Sequence, residues 1–304
     1  MTTVSSPAAR RRANVLRDGA WPWLFILPGY VLIAVFFLWP MARTIYFSFT
    51  EWGVFGGTKW VGLENYARLL NEPSILLALG NTALFTLISL LAIPLSIFFA
   101  ALLNRPNLRF RTLFRTIYFL PVITLPAAIA IVWRIMYNGD FGIINFMLSL
   151  IGIDGPNWLS QPGLAIVSVA LVGVWSSIGF NIVILGAGLQ MIPPELYESA
   201  QLDGASGLRQ MWSITVPLLT PSIFFVTVIT VIGSLKVFDL LFVMISPSSP
   251  AASESQSLVY LYYTEGFINN DKGYASAIGI AIMLLVAVVT LVQFRLQKKW
   301  VLND

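Results

Sequence analysis

Six long apolar segments alternate with shorter polar ones along the chain. They cover residues 21–47, 75–103, 113–136, 164–190, 218–245 and 274–294. A helix needs about 20 predominantly apolar residues to cross the hydrocarbon core of a bilayer, and each segment is long enough. The pattern therefore predicts an all-α, polytopic membrane protein with six transmembrane helices.

Composition indicates the same class. Hydrophobic residues make up 57% of the 304 residues, charged residues only 11%, and the mean hydropathy is +0.80. A soluble domain usually carries about 25% charged residues. Cysteine and histidine are absent from the sequence, which excludes disulfides, thiol nucleophiles and the usual zinc ligands.

The positive charges fall mainly on one side of the predicted spans. If the N-terminus is cytoplasmic, that side holds Arg10, Arg11, Arg12, Arg17, Arg105, Arg109, Arg111, Arg115, Arg209, Arg295, Lys298 and Lys299. Outside or within a span remain Arg43, Lys59, Arg68, Arg134, Lys236 and Lys272. Because cytoplasmic loops are enriched in Lys and Arg, this asymmetry of about two to one predicts cytoplasmic termini and a basic tail at residues 1–20. The same dispersal of charge argues against nucleic-acid binding.

Residues 191–217 form a polar interruption between the fourth and fifth apolar runs, and they are cytoplasmic in this orientation. Their sequence has the punctuation of two short helices. Pro194 suits a first helical position, and Gly204 can end a helix with a positive φ. Ser206 can cap the next helix, and Pro217 can stop it. We therefore predict a helix-turn-helix held outside the bilayer.

This stretch resembles the cytoplasmic coupling motif of the permease subunits of binding-protein-dependent ABC importers. In that motif Glu-Ala-Ala, two spacers and Asp-Gly-Ala precede a hydrophobic Ile-x-Leu-Pro segment. The matching residues are Glu198, Ser199, Ala200, Asp203, Gly204 and Ala205, followed by Ile214 and Pro217. Ser199 and Val216 depart conservatively from the usual alanine and leucine. The resemblance implies contact with an ATPase; the alternative is a solvated loop whose charges only keep it out of lipid.

Three further segments resemble the carbohydrate branch of these permeases, which includes the maltose and glycerol-3-phosphate systems. They are residues 60–66, 141–145 and 273–277. We therefore expect residues 21–304 to form one importer transmembrane domain, with 191–217 as its coupling loop. The cargo that the resemblance implies is a sugar or oligosaccharide, and the alternative is glycerol-3-phosphate or a glycerophosphodiester.

No energy source is encoded in this chain. It has no G-x-x-x-x-G-K-[ST] phosphate loop, and Asp239 is the only carboxylate within a predicted span. The resemblance implies a non-catalytic subunit without a cofactor, with ATP and Mg²⁺ held by two partner ATPase subunits. It also implies a second permease and an extracytoplasmic solute-binding protein, at a bacterial cytoplasmic membrane. The alternatives are a membrane enzyme, which needs clustered catalytic groups, and a transporter that works alone.

Polar and aromatic side chains on two spans are candidates for a solute path. They are Trp175, Ser176, Ser177, Phe180 and Asn181 on the fourth span, and Thr227, Thr230 and Ser234 on the fifth. Aromatic faces beside hydrogen-bonding groups suit a sugar ring, and the fifth-span residues share one side of a helix. Phe180, Thr230 and Ser234 also match positions that look substrate-contacting in the maltose system. Alternatively, such hydroxyls bond their own backbone or join helices.

Lys236 and Asp239 are three residues apart and so can pair on one face of the fifth span. Charges within a membrane are costly unless they are paired or face water. We interpret the two residues as a structural pair, and a charged element of a gate or of an anion path is the alternative. Arg134 admits the same two interpretations.

Overall fold

The computed structural model describes residues 20–52, 57–104 and 108–300, so most of the predicted basic tail and Arg105 lie outside it. Its first helices are α1 (Ala20–Ile33), α2 (Trp39–Phe47), α3 (Glu64–Asn71), α4 (Pro73–Ser89), α5 (Ala92–Leu103), α6 (Arg111–Ile123), α7 (Pro126–Met136), α8 (Ile143–Ser149) and α9 (Leu164–Gln190). The remaining helices are α10 (Pro194–Leu202), α11 (Gly207–Gln210), α12 (Val216–Leu218), α13 (Thr220–Leu235), α14 (Asp239–Met244), α15 (Ala251–Glu254), α16 (Leu258–Tyr263) and α17 (Lys272–Trp300).

Two other kinds of backbone structure interrupt the α-helices. Turns of π-helix lie at Ala34–Leu38, Met211–Thr215 and Thr264–Ile268. Strands β1 (Thr50–Trp52) and β2 (Thr58–Trp60) pair antiparallel, with Thr50 opposite Trp60. This small hairpin is the only sheet in the described part of the chain.

Within the described residues, four helical segments are long and apolar enough to cross a membrane, or six if each of two bent pairs counts as one span. The four are Trp23–Phe47, Pro73–Leu103, Leu164–Gln190 and Lys272–Lys298. The bent pairs are Thr112–Ile123 with Pro126–Met136, and Gly207–Leu218 with Thr220–Leu235. The predicted all-α, polytopic fold is confirmed. The third span bends inside its continuous apolar run, and the fifth bends at the start of its run.

Proline explains the bend of 103° in the third span. A residue that precedes proline avoids the α region, and Leu125 is accordingly extended (φ −59°, ψ 131°) before Pro126 starts α7. The bend of 71° in the fifth span falls at Leu219, just before a second helix with proline in its first turn. Pro217 therefore does not stop the helix as predicted, because the chain stays helical through Leu218.

Helix α9 lies at the centre of the packing. In one half of the bundle its Val169 belongs to a buried cluster with Phe85 of α4 and Leu241 of α14. In the other half its Leu185 packs with Ala92 of α5 and Val226 of α13. One unbroken helix of 27 residues thus contacts two separate hydrophobic clusters.

Arg68 of α3 joins three elements at one end of the bundle. We call this the outer end, because it is extracytoplasmic in the predicted orientation. The Arg68 guanidinium lies 3.0 Å from Glu72, 2.7 Å from Asp271, 3.8 Å from Glu265, and 3.8 Å from the centre of the Tyr274 ring. Burial lowers the pKa of Arg68, but hydrogen bonds with Glu72 and Asp271 outweigh burial and raise that pKa above its ordinary value. These contacts hold α3 against the start of the last span.

Candidate functional site

A cavity of about 400 Å³ lies where α9 and α13 meet the bend of the third span. Its polar lining consists of small uncharged groups from Ser89, Thr124, Ser176, Ser177, Asn181, Thr230 and Ser234. Phe180 adds an aromatic ring, and the other lining residues are apolar or glycine. None of the described residues that line this central cavity is charged.

The structure brings together most of the predicted path residues. The central cavity is lined by Ser176, Ser177, Phe180, Asn181, Thr230 and Ser234. They come from two different spans, and the bend of the third span closes a third side with Pro121 and Pro126. The six residues share one cavity wall, and their role in a solute path stays a prediction.

Two donors in the central cavity have no partner among the described residues. The side-chain nitrogen Nδ2 of Asn181 and the hydroxyl of Ser176 are both buried and make no hydrogen bond. Asn181 is only 2% exposed. An unpaired buried donor costs about 1–3 kcal/mol, so these groups need an acceptor from water or a solute.

Two other hydroxyls in the cavity differ from that of Ser176, because they bond to the backbone of their own helix. Ser177 donates to the carbonyl of Val174 at 2.9 Å, and Ser234 donates to the carbonyl of Val231 at 3.0 Å. Such bonds to the helix's own backbone are the alternative interpretation given above. Each hydroxyl oxygen nevertheless keeps an acceptor site free for a donor in the cavity.

Trp175 and Thr227 were predicted as path residues, but they do not line the central cavity. Trp175 faces the other way on α9, where its ring meets that of Trp133 edge-on at 5.4 Å. Thr227 donates its hydroxyl to the carbonyl of Ile223 at 2.7 Å. Both side chains therefore make contacts between or within helices, and neither adds to the cavity wall.

Ser89 and Thr124 line the central cavity but were not predicted. Ser89 is the last residue of α4 and shares one face of that helix with Thr82 and Thr86, a spacing that the prediction did not use. Thr124 lies at the bend, between Pro121 and Pro126. These two prolines could have pointed to Thr124, because they break a helix inside the membrane, and a broken helix is tolerated there where it lines a cavity.

The predicted pair of Lys236 and Asp239 is not formed. The prediction assumed a continuous helix, whereas α13 ends at Leu235 and α14 begins at Asp239. No ion pair joins the two side chains in the described structure, and both are exposed. Arg134 donates to the backbone carbonyl of Val243 at 3.4 Å, in keeping with a structural role.

The predicted helix-turn-helix is present as α10 and α11, which follow the C-terminal end of α9. The N–H of Ala205 donates to the carbonyl of Ala200 at 2.9 Å, and the N–H of Gly204 donates to the carbonyl of Gln201 at 3.0 Å. With Gly204 at φ +73°, these bonds make a Schellman turn, in which glycine satisfies the last helical carbonyls. Ser206 caps α11 by accepting from the N–H of Arg209 at 3.4 Å, as predicted.

One polar contact joins α10 to the π-helical turn after α11, and another lies within the helix pair. The hydroxyls of Tyr197 and Thr215 lie 3.0 Å apart, and the side chain of Gln210 donates to the carbonyl of Ala205 at 3.0 Å. A groove of about 680 Å³ lies beside the helix pair, and Glu198 is one of the residues that line it.

The remaining surface of the pair is open. Glu198, Ser199, Asp203 and Gly204 are exposed, and Ala200 and Ala205 are half-buried. Leu202, at the end of α10, is 91% exposed. The helix pair therefore presents acidic groups and an exposed leucine on one open surface.

Comparison with known proteins gives the family. The family described as "Binding-protein-dependent transport system inner membrane component" matches residues 92–301. The chain is 35% identical over 279 residues to an arabinooligosaccharide transport system permease protein of Halalkalibacterium halodurans, covering 90% of this chain and 87% of that protein. It is 34% identical to a lactose transport system permease protein of Rhizobium radiobacter, covering 97% and 98%.

A third relative and a solved structure agree with this result. The chain is 31% identical to an sn-glycerol-3-phosphate transport system permease protein of Pectobacterium atrosepticum, covering 92% and 95%. It matches a crystal structure of a bacterial ABC transporter involved in the import of the acidic polysaccharide alginate with a TM-score of 0.84 and 25% identity, covering 95% and 99%. The chain therefore belongs to the family of binding-protein-dependent transport system inner membrane components.

Proposed function

We propose that this chain is one of two permease subunits of an ATP-driven importer in a bacterial cytoplasmic membrane. Both termini lie in the cytoplasm, and residues 21–304 form the transmembrane domain behind a basic tail. The family match and the distribution of positive charge support this proposal. Each permease would supply half of the solute path, and an extracytoplasmic binding protein would deliver the solute.

Coupling to ATP would occur at α10 and α11. The sequence lacks a phosphate-binding loop, so ATP and Mg²⁺ would be held by two partner ATPase subunits. In this arrangement Glu198 is the anionic contact with the ATPase, and the rigid turn at Gly204 lets α10 enter a groove of the partner. The exposed acidic surface of the helix pair supports this role.

For the cargo, we infer a neutral sugar or oligosaccharide. The observation that carries the inference is the uncharged lining of the central cavity. Asn181 and Ser176 offer unpaired donors to sugar oxygens, and Phe180 offers an apolar face. A phosphate group would be buried here without a cation, which is strongly unfavourable. The lining therefore favours a sugar over glycerol-3-phosphate, although relatives of both kinds exist.

The test is uptake by the complete transporter in sealed vesicles, with ATP inside. Labelled arabinooligosaccharide, lactose and glycerol-3-phosphate are compared. We expect ATP-dependent uptake of a neutral sugar that excess glycerol-3-phosphate does not inhibit. Uptake of glycerol-3-phosphate that excess sugar leaves unchanged would overturn the choice of cargo.

Variants of the cavity wall test the path itself. Asn181→Leu removes the unpaired donor and should raise the solute concentration for half-maximal uptake about five- to hundredfold, the equivalent of a lost buried hydrogen bond. Phe180→Ala should act in the same direction. Thr227→Val is the matched control, because it removes a hydroxyl on the neighbouring span outside the cavity. Normal uptake kinetics in both cavity variants would place the path elsewhere.

A further inference from the structure

Helix α8 and the two residues after it expose a stripe of large apolar side chains. The stripe consists of Ile143, Phe146, Met147, Leu150 and Ile151, which are 42–70% exposed. Ile143, Phe146 and Met147 share one face of α8 at a spacing of i, i+3 and i+4. Leu150, at i+7, continues that face because its backbone stays helical, with its N–H donating to the carbonyl of Phe146 at 3.3 Å. In a helix on a water-exposed surface this spacing belongs to the face that packs inward. In α8 the apolar face points away from the protein, so lipid or another protein must cover it.

The opposite face of α8 is fixed to the protein. The side-chain nitrogen of Asn145 lies 2.9 Å from the carbonyl oxygen of Gly139, 3.2 Å from that of Gly155 and 3.3 Å from that of Pro156. Its side-chain oxygen accepts from the indole N–H of Trp158 at 2.6 Å. These bonds occupy both ends of the Asn145 side chain. The helix therefore cannot roll to bury its stripe without breaking them.

The position of α8 relative to the spans follows from the cluster beneath it. Ile144 of α8 packs against a cluster that contains Tyr137, just after α7, and Ala165, in the first turn of α9. These are the outer ends of two membrane-crossing segments. The rings of Tyr137 and Trp158 also meet there at 5.7 Å. Because Ile144 packs against the ends of both segments, α8 lies at the level at which they leave the hydrocarbon of the bilayer.

We propose that α8 is an interfacial helix, which lies in the outer leaflet of the bilayer with its stripe against the acyl chains. The neighbouring helix α7 also exposes large apolar side chains, since Ile131, Val132 and Ile135 are each more than half exposed. The only charged residues within 138–163 are Asp140 and Asp154, and both are exposed at the margins of the stripe. Without a basic residue, the helix is held by apolar burial and has no charge attraction to anionic headgroups.

The absence of cysteine from the sequence allows a direct test. Met147→Cys and Leu150→Cys place a nitroxide label on the stripe, in the complete transporter in phosphatidylcholine vesicles. Ser149→Cys is the matched control, because Ser149 is exposed on the same helix, about 160° from Met147 and about 100° from Leu150. The complex with the unsubstituted chain gives the background. Relaxation of the label by oxygen, which concentrates in lipid, is compared with relaxation by a water-soluble nickel chelate.

We expect the ratio of oxygen to nickel relaxation to be severalfold higher at both stripe positions than at Ser149→Cys. Adding the solute-binding protein should leave that ratio unchanged. Low relaxation by both reagents would mean that the partner permease covers the stripe, and would overturn the proposal. High nickel relaxation that falls when the binding protein is added would instead assign the stripe to protein docking. Neither result bears on the cargo, so failure here is distinct from failure of the proposed function.

Discussion

The backbone N–H of Ala205 reaches the carbonyl oxygen of Ala200 at 2.9 Å, and Gly204 between them has a φ of +73°. A residue with a side chain disfavours this left-handed conformation by about 1–2 kcal/mol. Nothing lies within 4 Å of the position that a Cβ would take. The requirement for glycine is therefore one of backbone conformation, and crowding adds nothing to it.

Gly204→Ala should consequently loosen the turn between α10 and α11 while the protein still inserts. We expect less ATPase subunit to co-purify and a weaker link between ATP hydrolysis and uptake. Gly207→Ala is the matched control, since Gly207 is helical with equally open surroundings. Equal coupling in the two variants would show that the turn conformation is not needed for the ATPase contact. Glu198→Lys, tested alongside, should uncouple hydrolysis through charge reversal.

Gly179 lies directly against the carbonyl oxygen of Tyr118, so a Cβ there would overlap the backbone of α6. Gly179→Ala should push α6 from α9 and destabilise the bundle by about 1–3 kcal/mol, the usual range for overpacking. Thermal unfolding in detergent, followed by fluorescence, measures the loss. Gly186→Ala on the same helix has open space and should be neutral or mildly stabilising. A Gly179→Ala protein as stable as Gly186→Ala would contradict the close contact.

Arg68→Ala leaves Glu72, Asp271 and Glu265 without their shared cation and removes the contact with the Tyr274 ring. The side chain is partly exposed, so we expect a loss of only about 1–2 kcal/mol, localised to the outer end. Faster hydrogen exchange in α3 and at the start of α17 would report this local loss of stability. Arg68→Lys should restore part of the protection. Because the pKa of Arg68 is raised, the effect should not depend on pH between 6 and 9, roughly, where arginine stays protonated.

The distribution of positive charge predicts the orientation of the chain. Reporters fused after Asn104 or after Asp304 should register as cytoplasmic, and reporters inserted near Glu64 or Ser253 should register as outside. Alkaline phosphatase and green fluorescent protein fusions give opposite signals and so check each other. A cytoplasmic signal at Ser253 would require a different number of spans.

Hydropathy predicted the first, second, fourth and sixth spans well, because it measures whether a segment can enter lipid. Hydropathy carries no information on the direction of a helix, so the bends at Leu125 and Leu219 were missed. Pro126 directly follows Leu125, and Pro217 and Pro221 each lie two residues from Leu219. The pairing of Lys236 with Asp239 failed for a related reason. Spacing by three residues places side chains on one face only while the helix continues, and here it ends at Leu235.

Local backbone chemistry was more predictable than the cavity. Gly204 and Ser206 act through their own turn and cap, so neighbouring residues are sufficient to foresee them. The cavity wall joins residues from separate spans, and whether a hydroxyl faces it depends on tertiary packing. Thr227 and Thr230 are the same residue type on the same helix, but only Thr230 lines the central cavity.

Helix α9 differs mechanically from the spans around it. It has no break over 27 residues, which corresponds to about 40 Å, whereas the third and fifth spans each contain a bend. It carries Asn181 and ends at Gln190, four residues before α10 begins. We therefore expect α9 to transmit a tilt of α10 without bending, whereas the third and fifth spans can change their angle at their bends. Motion at one surface of the membrane would reach the cavity through a single element.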